Sequence, residues 1–194
     1  MSNTKNIMIV GVGGQGTLLA SRILGNVVIN QGYDVKVSEV HGMSQRGGSV
    51  ITYVKYGEKV YSPIIDKGEA DIILAFERLE SIRALPFLKK GGKIILNDRA
   101  ISPMPVITGS QEYPQGITEK LKEKVEVISL DALSYSLQAG SPKAVNVVLL
   151  GVLAKTTNID KEIWIKTIKE TVNEKFLDLN LKAFELGYNH KENI

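Results

Sequence analysis

The feature that most constrains this chain is the stretch "IMIVGVGGQG" at residues 7–16, followed at once by an apolar helical pattern. An apolar run that breaks into four glycines within six positions reads as a buried strand, a tight turn and a helix. Gly11, Gly13 and Gly16 satisfy G-x-G-x-x-G, with Gly14, Gln15 and Thr17 completing the loop. Glycines there permit a tight turn and close approach of backbone to a ligand, and the following helix N-terminus offers N–H groups to an anion. An acid at the end of the next strand would hold a ribose hydroxyl, and Glu39 is placed for it. Two readings stay open here: the loop binds a nucleotide, or its glycines only make the turn. Gln15 would set an amide where a pyrophosphate should pass.

Five short apolar runs, 7–10, 35–40, 70–76, 93–96 and 125–130, read as strands, several apolar on consecutive positions. That is the pattern of a parallel sheet covered on both faces. Leu18, Leu19, Ile23, Leu24, Val27 and Val28 form a helical stripe between the first two. "ERLESIRALPFLKKGGK" reads as a shorter helix ending at Gly91 and Gly92. "GSVITYVKYGEKVYSP" (48–63) reads as strand, turn at 56–59 and second strand, a β-hairpin inserted after the second parallel strand. "ISPMPVITGS" (101–110) is the expected irregular crossover, and residues 142–187 turn helical. The expectation is an α/β, doubly wound, mostly parallel sheet flanked by helices, with an inserted hairpin and a helical C-terminal part, all in one domain over 1–194.

Directly after Glu39 comes "VHGMSQRGGSV", polar and glycine-rich, at the end of the second strand. It would lie on the same carboxyl edge as the glycine loop, so His41, Ser44, Gln45 and Arg46 should converge with Gln15 and Thr17. Arg46 followed by Gly47 and Gly48 has the composition of an anion-binding turn. The bland alternative is a structured loop whose His and Arg satisfy backbone carbonyls. No catalytic residue is assigned: His41 has no carboxylate or nucleophile assignable beside it. Cysteine is absent among 194 residues, which removes disulfides, thiolate catalysis and Cys-ligated clusters, and two histidines give no metal spacing. A net charge of +3 with interspersed signs suggests no nucleic-acid surface. With no apolar leader and no spanning stretch, the expectation is a cytoplasmic chain without a membrane role.

Together, "NIMIVGVGGQGTLLASRILG" and "VKVSEVHGMSQRGGSVITYVKYGEKVYSP" resemble the beta subunits of indolepyruvate:ferredoxin oxidoreductases, within the gamma-domain family of 2-oxoacid:ferredoxin oxidoreductases. "EADIILAFERLESIRALPFLKKGGKIILND", "AVNVVLLGVLAK" and "KFLDLNLKAFELGY" extend the resemblance over nearly the whole chain. "GVGGQG" stands where pyruvate-type gamma subunits tend to carry "GRGGQG", and "HGMSQRGG" favours the indolepyruvate branch. The resemblance implies a small subunit inactive alone. Its larger catalytic partner would carry thiamine diphosphate and iron–sulfur clusters, oxidise aryl 2-oxoacids to acyl-coenzyme A and reduce ferredoxin. It implies no firmly bound cofactor on this chain. Two uses of the glycine edge remain, a share in positioning coenzyme A or an interface with the catalytic subunit. The rival reading is a stand-alone NAD(P)- or FAD-binding reductase.

Overall fold

The computed structural model describes residues 4–42 and 47–191. Six strands form one sheet: β1 (Lys5–Val12), β2 (Asp34–His41), β3 (Ser49–Gly57), β4 (Ala70–Ala75), β5 (Leu88–Asn97) and β6 (Glu126–Leu130). Their order is β2-β3-β1-β4-β5-β6. β1, β4, β5 and β6 pair in parallel, while β3 runs antiparallel between β1 and β2. Among the described residues eight helices flank the sheet: α1 (Thr17–Asn30), α2 (Arg78–Ala84), α3 (Met104–Ile107), α4 (Ile117–Lys122), α5 (Ala132–Ala139), α6 (Val145–Thr156), α7 (Lys161–Thr171) and α8 (Leu177–Tyr188). The α/β architecture and the helical C-terminal part are those expected from the sequence.

Alternation along the strands divides the core into two layers. Ile7, Ile9, Ile72, Leu74 and Ile95 face α1, α6, α7 and α8, whereas Met8, Val10, Ile73, Ile94 and Leu96 face α2 and α4. α6 is apolar around its whole circumference because it is enclosed: every residue from Val145 to Ala154 is buried. Its backbone touches that of α8. A Cβ on Gly151 would lie 2.2 Å from the Phe184 carbonyl oxygen, and one on Gly187 would lie 1.9 Å from that of Val148.

Two local expectations are corrected. The hairpin expected within 48–63 does not form: Ser49–Gly57 is a single strand that pairs antiparallel with β2 and β1, and residues 58–63 form no second strand. Ser49–Gly57 finds β1 on one side and β2 on the other, so both its edges are paired, and β2 becomes the sheet's outer edge. The helix expected to reach Gly91 and Gly92 ends at Ala84, followed by a 3-10 turn over Leu85–Phe87. Pro86 closes the turn, and "KKGGK" lies inside β5. Lysines before a glycine pair mimic a helix end, yet tertiary pairing with β4 decides the segment.

Candidate functional site

The switch point of the sheet lies between β1 and β4, whose following helices α1 and α2 cover opposite faces. In open α/β sheets this is where a ligand crevice opens at the carboxyl edge. Here a side chain stitches it shut. The Gln15 Oε1 accepts from the Val12 N–H at 2.7 Å, and its Nε2 donates to the Phe76 carbonyl at 2.9 Å. Gly11 must be bare for this, because a Cβ would sit 2.8 Å from Gln15 Oε1 and 3.0 Å from Phe76 Cβ. Two asparagines extend the seam. Asn97 donates to the same Phe76 carbonyl at 3.0 Å and accepts from the Ala132 N–H at 3.2 Å. Asn146 of α6 donates to the Gly16 carbonyl at 3.2 Å. Gly16 caps α1 at φ 82, and a Cβ there would press 2.8 Å from Asn146 Nδ2. Gly14, at φ 97 with open space around it, is required by conformation alone.

The second loop is tied to the first, as its place after β2 implied. The Gly13 N–H donates to the Gly48 carbonyl at 2.8 Å. Gly47 and Gly48 are therefore brought to the glycine loop, whereas Ser44, Gln45 and Arg46 lie outside the described residues. Glu39 and His41 do reach the loop. With Gly13, Gly14, Gly16, Thr17, Leu18 and Val50 they line an open cleft of about 450 Å³. Both side chains are exposed; Glu39 accepts from the Thr52 hydroxyl at 3.3 Å, and His41 Nδ1 lies 2.9 Å from the Gly42 carbonyl. The cleft thus combines the N-terminal N–H groups of α1 with one carboxylate and one imidazole. Two of the polar groups expected there are already engaged within the chain: the Gln15 amide and the Gly13 N–H.

Behind the cleft runs a carboxylate network that the glycine motif does not announce. Glu77 is 1 % exposed and caps α2, accepting from the Glu80 N–H at 3.0 Å, from the Ile101 N–H at 3.0 Å and from the Tyr113 hydroxyl. Burial and that bond to Glu77 push the Tyr113 hydroxyl well above its ordinary pKa. Glu80 accepts from Ser49 at 2.5 Å and from Arg83 at 2.6 Å, so α2 holds the first residue of β3 just after Gly48. Asp98 bridges Arg78 and Thr118, each at 2.6 Å. Burial alone would raise its pKa, but these two donors hold it below the ordinary value. One signal was available in the sequence: Asn146 is a lone amide in an otherwise apolar helical run.

The donor set does not fit a metal cofactor. The chain has no cysteine, and no group of three or more His, Cys, Asp or Glu residues converges among the described residues. The chain offers no thiolate for an iron–sulfur cluster, and its described residues offer no ligand cluster for the divalent ion of a bound diphosphate. Among the described residues no helix is long and apolar enough to cross a membrane.

Comparison with known proteins covers nearly the whole chain. Residues 6–190 match the model of the family described as pyruvate ferredoxin/flavodoxin oxidoreductase. The chain is 43% identical over 190 residues to indolepyruvate oxidoreductase subunit IorB of Thermococcus kodakarensis, covering 94% of this chain and 93% of that one. It is 41% identical to the subunit of the same name from Archaeoglobus fulgidus, covering 95% and 94%. The fold is shared with the gamma subunit of a keto/oxoacid ferredoxin oxidoreductase from Geobacter sulfurreducens. Their TM-score is 0.71 at 24% identity, over 95% of this chain and 96% of that one.

Proposed function

The chain belongs to the pyruvate ferredoxin/flavodoxin oxidoreductase family, and from that premise we propose that it is the small, non-catalytic subunit of an indolepyruvate:ferredoxin oxidoreductase. The full-length identity of 43% to a subunit named for indolepyruvate carries this reading. The assembled enzyme oxidatively decarboxylates aryl 2-oxoacids to acyl-coenzyme A and passes the electrons to ferredoxin. Iron–sulfur clusters belong on the larger catalytic subunit, since this chain supplies no thiolate, and thiamine diphosphate is assigned there with them. The complex works in the cytoplasm, away from membrane and nucleic acid.

This chain's share is the carboxyl edge of its sheet. We place the contact with the catalytic subunit, bordering its acyl-acceptor site, at Gly13, Gly14, Gln15 and Gly16 with Glu39, His41, Gly47 and Gly48, while buried Gly11 and Thr17 shape the loop behind them. Ser44, Gln45 and Arg46 are assigned to this edge from the sequence alone. The Gln15 seam supports a rigid contact edge over a dinucleotide crevice. Exposed Leu18 beside the cleft suits such a contact. Coenzyme A is the shared ligand this edge would help to place, through backbone N–H groups at the start of α1 and the Arg46 guanidinium. Calorimetry of the purified chain tests the reading against the reductase alternative. The expected result is no saturable binding of NAD, NADPH or FAD, with coenzyme A binding strengthened by the larger subunit and weakened by Arg46→Ala. Tight dinucleotide binding lost on Glu39→Ala would replace this reading with the reductase.

A further inference from the structure

At the opposite, amino edge of the sheet lies a larger cavity, about 620 Å³, that the proposed subunit role leaves unused. Its volume is in the range of small-molecule sites. The sheet is interrupted to build one wall. The β4–β5 ladder passes from Ala70–Leu88 straight to Ile72–Lys93, so Lys89, Lys90, Gly91 and Gly92 bulge out against Asp71 alone. Bulges of this kind re-aim side chains. The bulge is held by glycine: Gly91 has φ 79, and a Cβ on Gly92 would lie 3.0 Å from the carbonyl oxygens of both Ala70 and Asp71.

The bulge adds Lys89 and Lys90 to a wall that also contains Lys5 and Lys93, and the facing carboxylates are Glu58 and Asp71. Four ammonium groups thus oppose two carboxylates. Lys89 is committed to Asp71 at 3.0 Å and Lys93 to Glu126 at 2.8 Å. Asp71 is further occupied by the Asn6 N–H at 2.9 Å. Lys5 and Lys90 are exposed and form no ion pair among the described residues, so the surplus charge is theirs. The helices α1 and α6 end here, and their negative ends are capped. Tyr33 N–H donates to the Val28 carbonyl, and Thr157 donates to that of Ala154 through both N–H and hydroxyl. These bonds satisfy terminal carbonyls that would otherwise face an anion unpaired.

Two aromatic rings line the cavity. Tyr56 is 8 % exposed, and Tyr33, 41 % exposed, tilts against it with ring centroids 5.7 Å apart. A ring stacked on Tyr33 would still leave a charged tail within reach of the lysines.

We infer that this amino-edge cavity is a second binding site, distinct from the glycine edge, for a nucleoside diphosphate, with the diphosphate on Lys5 and Lys90 and the base on Tyr33. Calorimetry with ADP, inorganic pyrophosphate and adenosine tests it on the full chain, with circular dichroism to confirm that each variant is folded. ADP should bind one to one, pyrophosphate more weakly and adenosine most weakly. The double variant Lys5→Ala/Lys90→Ala should weaken ADP and pyrophosphate at least tenfold. Tyr33→Leu should weaken ADP and leave pyrophosphate unchanged. Absence of ADP binding, or ADP binding indifferent to the lysine pair, would overturn the site; the second result would place the nucleotide at the glycine edge instead. ADP binding indifferent to Tyr33→Leu would overturn the assignment of the base.

Discussion

Replacing Gln15 by alanine tests whether the switch-point crevice is held shut by one side chain. The substitution removes two hydrogen bonds, but their loss is unequal. The Phe76 carbonyl keeps its bond from Asn97, so it remains satisfied. The Val12 N–H loses its side-chain acceptor in a residue only 7 % exposed. A stranded buried donor costs about 1–3 kcal/mol and a replaced bond about 1 kcal/mol. Gln15 itself is half-buried, so water can enter behind it and draws the expectation to about 2 kcal/mol. In a domain of this size that corresponds to roughly 4–8 °C in melting temperature. The geometry makes a second demand. Gly11→Ala drives a methyl group to 2.8 Å from Gln15 Oε1, so part of its cost exists only while Gln15 is present. Urea unfolding of the wild type, the two single variants and the double variant should show a double-variant loss smaller than the sum by about 1 kcal/mol. Gln15→Ala within about 0.5 kcal/mol of wild type, or strict additivity with Gly11→Ala, would refute the seam.

Three further outcomes follow from the packing and charges. Gly187→Ala, whose Cβ would lie 1.9 Å from the Val148 carbonyl oxygen, should force α8 off α6 and cost at least about 3 kcal/mol, read as loss of soluble protein or a lower urea midpoint. The Asp34 carboxyl is held at about 2, below its ordinary 3.8, chiefly by the Val60 N–H and then by Lys36. Its contribution to stability is therefore complete above about pH 4 and lost as pH falls toward 2. Acid titrations of wild type and Asp34→Asn should differ in slope within that window. Ser49→Ala removes the donor to Glu80 at the start of β3, and amide hydrogen exchange at Gly13, whose N–H is held by the Gly48 carbonyl, should quicken while β5 stays protected.

The strand and helix sequence was largely legible because both faces of the sheet are covered, which writes continuous apolar runs at β1, β4 and β5. The convergence of Glu39 and His41 with the glycine loop was legible too, since β2 and β1 point the same way and end on one edge. What could not be read was pairing. Nothing local in "SVITYVKYG" says that both its edges are covered, and nothing in "KKGGK" distinguishes a helix end from a bulge laid against Asp71. The role of Gln15 was equally non-local: its amide looks available to a phosphate until Phe76, 61 residues away, is placed beside it. Glu77 and Glu80 are buried by Tyr113, Ile101 and Ser49, partners that come from three separate segments.

The central claim is that this chain is a subunit with no 2-oxoacid chemistry of its own. The most direct measurement is indolepyruvate-dependent reduction of ferredoxin, with coenzyme A present, by the purified chain, by the larger catalytic subunit from the same cells, and by the two combined. Activity that appears only in the combined sample, with both chains eluting together on gel filtration, is the predicted result. Turnover by this chain alone, or full turnover by the larger subunit without it, would contradict the account.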